Sequence, residues 1–469
     1  MLKIVLSTLL VTLSLTSAAA ADKRKTTTDL DVAKLLSMRV DQQHFATGIV
    51  IGIVEPSGER VIAYGTIGLS DPRRVNADTV YDIGSITKVV SSLLVADMAH
   101  RGEVALDDPV MRYLPADRVT MPSFQGRAIT LADLATHTSG LPLRPSNLRT
   151  PNVDNKYAGY TLNDLYAFLS GYKLTRAPGS QYEYSNVGYG LIGPALSQRS
   201  GKSWAELVRT RITEPLGMAD TRPDSSPDMQ RRAATGYALD LTTLTLAPAE
   251  HWDMGALESA GALRSSARDL MKLLAAALGL KPSPLKPAFD LAIRTRRPGG
   301  MEPSTEIALG WNIFRNGTRE IVWKNGNVGG FRSFIGFDRA SKRGVVALAN
   351  AQTATGADDI GLNLLDPTIP VDTHIPLIHK EIALSEAILD RYVGRYRFSD
   401  TDIVAITRQG DRLFCRVDKD NLELFAETEH DFFLKVADIQ MTFDALVAGR
   451  ASKLVWHQGG HDQIGQRID

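Results

Sequence analysis

The sequence predicts an α+β chain: one sheet-containing domain interrupted by a helical insertion, followed by a small all-β domain. Three observations carry this. β-rich runs stand at both ends of the first 365 residues with helical patterning between them. A proline-rich stretch follows. The last third is a series of short strands divided by polar turns.

The elements follow in chain order. Ile49 to Val54 and Val61 to Leu69 are apolar, β-branched runs separated by Pro56-Ser57-Gly58, the pattern of a hairpin. From Ser85 to Gly217 the pattern is mainly helical. Thr130-Leu131-Ala132-Asp133 and Thr161-Leu162-Asn163-Asp164 are capping-box helix starts with Asp in the place of Glu. Ser266-Ala267-Arg268-Asp269 opens a helix running to Leu278. Strands return at Ile307 to Phe314, Ile321 to Lys324, Phe331 to Phe337 and Gly344 to Asn350. Residues 366–384 form a linker, with three prolines between Asp366 and Pro376 to stiffen it. After a short helical start near Ser385, six segments read as strands: Tyr392–Tyr396, Arg412–Val417, Leu422–Phe425, Phe432–Val436, Met441–Phe443 and Lys453–His457. Their spacing fits a small antiparallel barrel or sandwich over residues 385–469.

Composition narrows the function classes. The 469 residues are 43% hydrophobic and 23% charged, with 53 acidic and 53 basic side chains. That balance predicts neither nucleic-acid nor membrane-surface binding, while leaving room for a local patch that binds an anionic group. Residues 1–21 read as a signal peptide: Lys3 supplies a positive start, Ile4 to Leu15 is apolar, and Ser17-Ala18-Ala19-Ala20-Ala21 offers small-residue cleavage sites. Twelve or so residues of helix span about 18 Å, short of a ~30 Å hydrocarbon core, so the expectation is export without a permanent membrane span. Cys415 is the only cysteine, so no intramolecular disulfide can form; it reads as a small strand residue. Nothing in the sequence sets an oligomeric state.

Three short motifs carry chemistry. Ser85-Ile86-Thr87-Lys88 opens an apolar-periodic helix through Val89, Val90, Leu93, Leu94 and Met98. Three residues apart on a helix share a face, so Lys88 can lie beside the Ser85 hydroxyl. A serine hydroxyl needs a group to remove its proton, and a desolvated lysine can be that group. The structural alternative is a cap followed by a solvated lysine. Tyr184-Ser185-Asn186 offers a phenol for proton relay and an amide to hold a substrate carbonyl; its bland alternative is a loop. Lys324-Asn325-Gly326 ends a strand and leads to Asn327-Val328-Gly329-Gly330, where glycines admit a substrate along the backbone; alone it reads as a turn.

The order of these motifs, together with Leu134-Ala135-Thr136-His137-Thr138-Ser139-Gly140-Leu141-Pro142 and Ala177-Pro178-Gly179-Ser180, resembles the class C β-lactamase and penicillin-binding serine hydrolases. Within that family the words are nearest the periplasmic D-alanyl-D-alanine carboxypeptidase/endopeptidase branch. The resemblance implies a β-lactamase-like antiparallel sheet flanked by helices over residues 22–365, and a lipocalin-like barrel at the C-terminus. It also implies roles: Ser85 forms an acyl-enzyme, Lys88 and Tyr184 move its proton, Asn186 binds a substrate amide, and Lys324, Asn325 and Gly326 bind substrate. The oxyanion hole falls to the backbone N–H groups of Ser85 and Asn327. Asn325 departs from the family pattern, which has Thr there. A cation at ~4 Å and effective dielectric ~20 is worth roughly 4 kcal/mol, so two lysines are expected to draw Tyr184 down from its ordinary pKa of about 10, against desolvation.

Other signals lead elsewhere. Gly188-Tyr189-Gly190-Leu191-Ile192-Gly193 has dinucleotide-loop spacing but no preceding strand, so close helix packing accounts for it better. His137 has no histidine partner at metal-ligand spacing and reads as structural; no metal and no cofactor are expected. The resulting expectation is a serine hydrolase acting on D-amino-acid peptides or β-lactams. An esterase or amidase on the same machinery, or a binding protein that has lost catalysis, are the alternatives.

Overall fold

The structure is a computed structural model that describes residues 28–149, 152, 155–353, 356–400, 402–417, 420–458 and 461–469. The expected signal peptide lies outside the described residues. Among those described, no helix is long and apolar enough to cross a membrane.

A nine-stranded antiparallel sheet organises the first domain. Its order is Arg297–Pro298, Glu306–Ile307, Asn312–Asn316, Arg319–Val328, Phe331–Asp338, Arg343–Ala349, Gly48–Glu55, Gly58–Gly68 and Asp71–Arg74. The strand Gly48–Glu55 is buried on both faces because its side chains alternate between two cores. Val50 and Val54 join the large core shared with helices Thr87–His100 and Ala267–Ala277. Ile49, Ile51 and Ile53 join a smaller core with helices Asp29–Asp41 and Asp358–Leu365. The Thr28, Thr130 and Thr161 caps all close capping boxes with Asp, the last two as the sequence predicts.

The helical insertion is held by close contacts. A Cβ at Gly190 would lie 2.2 Å from Leu257 Cδ2, and one at Gly193 would lie 2.9 Å from Ser259 Oγ. These glycines let helix Asn186–Ser200 cross the Leu257–Ser259 segment, which is the packing expected in place of a phosphate loop.

Two features differ from the sequence-based expectation. The strand does not end at Lys324; it runs on through Val328, paired with Phe331–Asp338 up to Val328↔Phe331. Gly329 and Gly330, both at positive φ, make the turn that the sequence suggested earlier. Helix Asp358–Leu365 was not foreseen from a segment without a side-chain cap.

The C-terminal part is a closed eight-stranded barrel from Gly394–Arg397 to His461–Arg467. Two of its strands, Ile403–Gln409 and His461–Arg467, were absent from the sequence reading; polar residues hide the second, whereas the first opens on the apolar run Ile403-Val404-Ala405-Ile406 and was overlooked. Tyr392, Tyr396, Phe432, Phe443 and Trp456 fill its interior, with the Tyr392 and Phe443 rings stacked at 4.6 Å. Cys415 is buried in that core, and burial pushes its thiol up to about 12. The connecting segment is anchored at both ends. Arg39 Nη2 donates to the Asp372 carbonyl at 3.0 Å on one side, and Ile382 N donates to the Ala426 carbonyl at 2.8 Å on the other.

Candidate active site

Strand Val80–Asp82 pairs with Arg264–Ser266 and delivers the chain into a 3-10 turn, Gly84–Ile86, which continues as helix Thr87–His100. Ser85 therefore stands at the entry of a helix that is buried from Thr87 to Met98. A helix so enclosed needs its polar groups satisfied internally. Ser91 donates to the Ser259 carbonyl at 2.8 Å, and Ser92 shares a 2.9 Å bond with the Tyr189 hydroxyl.

Lys88 lies one turn on, fully buried. Its Nζ is 3.0 Å from Ser85 Oγ and donates to the Ala260 carbonyl at 2.6 Å. Burial pushes the Lys88 ammonium well below the usual lysine range, and the nearby Lys324 adds to the shift. The Tyr184 hydroxyl is 2.6 Å from Ser85 Oγ. The serine oxygen thus has an amine on one side and a phenol on the other.

The expected lowering of Tyr184 does not occur. Burial pushes its phenol up, and the hydrogen bond with Ser85 offsets this only in part. Geometry gives the reason. Both lysines sit over the ring face, Lys88 Nζ at 5.0 Å and Lys324 Nζ at 4.7 Å from its centroid. Both are themselves desolvated, and burial brings Lys324 down to about 7. Groups that give up their own charge cannot stabilise a phenolate.

His137 stacks on the phenol ring. The two rings stack at 4.3 Å and 28°, with Tyr182 and Tyr189 packed on the remaining sides of the imidazole. Its Nδ1 accepts the Ser185 N–H at 3.0 Å, which places the proton of the neutral ring on Nε2. Burial, with Lys324 and Lys88 adding to it, holds this imidazole well below its ordinary range. Sequence reasoning classed His137 as structural and missed its contact with Tyr184, which no local pattern signals; the structure holds it at positive φ, +55°, in a buried loop.

The remaining candidates separate. Asn186 begins helix Asn186–Ser200, capped by Ser185, and its Nδ2 donates to the Tyr157 hydroxyl at 3.0 Å while its buried Oδ1 has no partner. Turning the amide over would give Oδ1 the Tyr157 proton and free Nδ2 for a substrate carbonyl. Gly326 and Gly84 mark the close approach of strand and helix entry. A Cβ at Gly326 would lie 2.1 Å from the Ile83 carbonyl oxygen and 3.0 Å from Ser85 N, and one at Gly84 would lie 3.1 Å from Asn327 N. The two expected oxyanion N–H groups therefore belong to segments in van der Waals contact. Asn325 points elsewhere. Strand alternation puts Lys324 on the Tyr184 face and Asn325 on the opposite one, opposite Phe334 in register. There its Nδ2 donates to Asp358 at 2.8 Å.

A serine at a helix entry between a buried lysine and a half-buried phenol, on an antiparallel sheet with a helical insertion, defines a serine hydrolase scaffold. The family model described as Beta-lactamase matches residues 32–366, and a domain of unknown function (DUF3471) matches residues 379–467. The chain belongs to the β-lactamase family. It is 29% identical to the D-alanyl-D-alanine-carboxypeptidase/endopeptidase AmpH of Escherichia coli over 71% of this chain and 87% of that protein. A class C β-lactamase structure from Rhodobacter sphaeroides matches with TM-score 0.60 and 26% identity, over 72% of this chain and 99% of that one. An octameric penicillin-binding protein homologue from Pyrococcus abyssi shares the fold at TM-score 0.62 and 22% identity, over 93% of this chain and 100% of that one. Members of this family are serine hydrolases, and the chain is an enzyme of that kind.

Proposed function

We propose that the chain is an exported peptidase of the D-alanyl-D-alanine type, working through an acyl-enzyme on Ser85. One observation carries the reading: Ser85 Oγ lies 3.0 Å from Lys88 Nζ and 2.6 Å from the Tyr184 hydroxyl, with the lysine buried. Lys88, neutral because it is desolvated, takes the Ser85 proton as Oγ attacks the substrate carbonyl. The Ser85 and Asn327 N–H groups face the oxygen that gains charge. Tyr184 keeps its proton in the resting enzyme and gives it to the leaving amine, then regains one from Lys88. Water attacks the ester in the second half with the same pair acting in reverse. Asn186 holds the substrate amide and Lys324 borders the leaving side. Export rests on residues 1–21, and the C-terminal lipocalin-like domain on residues 385–469.

An esterase or amidase activity on the same machinery is favoured by the engagement of Asn325 with Asp358. Fluorescent penicillin separates the first reading from its rivals. Covalent label on the wild type and none on Ser85→Ala supports it; absence of label on both, over a range of pH and time, refutes it.

A further inference from the structure

Residues 250–253 touch three parts of the site, yet no acyl-transfer step uses them. They lie on the turn that follows the oxyanion strand. A Cβ at Gly329, two residues past Asn327, would stand 2.6 Å from the Glu250 carbonyl oxygen and 3.1 Å from Trp252 Cδ1. The Trp252 ring meets the Tyr157 ring edge to face, with centroids 6.2 Å apart, and the Tyr157 hydroxyl receives Asn186 Nδ2 at 3.0 Å. His251, between Glu250 and Trp252, accepts Arg264 Nη2 on Nε2 at 2.6 Å, so its Nδ1 carries the proton and donates to Asp82, three residues before Ser85. The segment is also tied down from outside. Asn155 Nδ2 donates to the His251 carbonyl and Asn155 Oδ1 accepts the Asp253 N–H, both at 3.0 Å, and Asn152 Nδ2 donates to Glu250 at 2.8 Å. Trp252 itself is only half-buried.

We infer that Trp252 is a specificity-determining residue of the acyl side, selecting donors whose outer acyl group presents a flat apolar face, an aryl group above all. This deepens the proposed function and rests on acyl transfer to Ser85. A donor with its scissile carbonyl at Ser85 and its amide at Asn186 runs between the oxyanion strand and the Asn186–Tyr157 pair. Trp252 bridges those two elements, from Gly329 to Tyr157, so a group extending past Asn186 meets the indole. A second apolar side chain stands at Asn186: Leu143, whose carbonyl accepts the Asn186 N–H at 3.2 Å, is 42% exposed. An indole held in one orientation offers a wide apolar surface with little freedom left to lose, and a ring laid on it gains stacking as well as burial. The His251 clasp on Asp82 ties that surface to the strand leading into Ser85, which fixes its distance from the nucleophile.

The test uses the full chain and two thioester donors with the same leaving thiol, N-phenylacetylglycyl and N-acetylglycyl. Thiol release, read with a chromogenic disulfide, gives kcat/KM. The wild type is expected to favour the phenylacetyl donor by about tenfold or more, within the range an apolar pocket supplies. In Trp252→Ala that ratio is expected to fall to about one, chiefly through the KM of the phenylacetyl donor, while Trp252→Phe keeps most of it. Taking the ratio within each protein cancels general damage to the machinery, and Trp252→Gln serves if the alanine variant does not fold. Equal turnover of the two donors by the wild type, or a ratio that stays or rises in Trp252→Ala, overturns the inference while leaving Ser85 acylation intact. If intact mass shows that neither donor acylates Ser85, the proposed function falls and this inference with it.

Discussion

Replacing Lys324 by Met should make the protein more stable while disabling it. Burial lowers the Lys324 ammonium from 10.5 to about 7, a shift of roughly 3.5 units or about 5 kcal/mol at ~1.4 kcal/mol each. The unfolded chain holds the proton more tightly, so folding releases it between pH 7 and 10.5, and the cost to stability has a definite sign. It is fully present below pH 7 and disappears as pH rises through 10.5. Linkage puts the cost at about 4 kcal/mol at pH 7 and about 2 kcal/mol at pH 9. Methionine has nearly the same length and no charge to desolvate. Imperfect packing removes part of the gain, leaving about 2 kcal/mol at pH 7. The pH dependence is immune to that correction: the advantage of the variant should shrink by about 2 kcal/mol between pH 7 and 9. Denaturant unfolding followed by tryptophan fluorescence reads the correct domain, since Trp204, Trp252, Trp311 and Trp323 lie in it and only Trp456 lies in the barrel. A variant that is destabilised by the same amount at both pH values would refute the reasoning.

Three further substitutions probe other parts of the structure. Tyr184→Phe removes the hydroxyl 2.6 Å from Ser85 Oγ and should lower the acylation rate by ~10²–10⁴ with little change in melting temperature; stopped-flow with a chromogenic acyl donor measures it. Gly190→Ala drives a Cβ to 2.2 Å from Leu257 Cδ2, and overpacking should cost about 1–3 kcal/mol in chemical denaturation despite the better helix propensity of alanine. Arg39→Met leaves the half-buried Asp359 carboxylate with only its backbone donors from Asp372 and Ile360, for an expected loss at the lower end of ~3–5 kcal/mol by thermal unfolding.

The catalytic candidates were legible because their geometry is local. Ser85 and Lys88 are three residues apart across a 3-10 turn that runs into a helix, and the capping boxes at Thr130 and Thr161 fix the insertion by nearest-neighbour chemistry. Tyr184 and Lys324 could be joined to them only through family resemblance, since the bond from Tyr184 to Ser85 spans 99 positions. What escaped the sequence depends on register and burial. Asn325 faces away from Lys324 because the strand continues to Val328, and its partner Asp358 sits 33 positions on, in a helix without a side-chain cap. The expected drop in Tyr184 acidity failed for a similar reason. Charges read from a sequence are formal charges, and here burial removes those of the very lysines that were to act on the phenol. In the barrel, His461–Arg467 carries too many polar residues to read as a strand until closure pairs it on both sides, whereas Ile403–Gln409, opening on Ile403-Val404-Ala405-Ile406, was legible and overlooked.

Mass spectrometry of the intact protein after exposure to a β-lactam and to a D-amino-acid peptide ester tests the central claim most directly. The account predicts a mass increase of one acyl group, mapped after proteolysis to the peptide containing Ser85 and lost in Ser85→Ala. An adduct on another residue, or turnover that survives in Ser85→Ala, would contradict it.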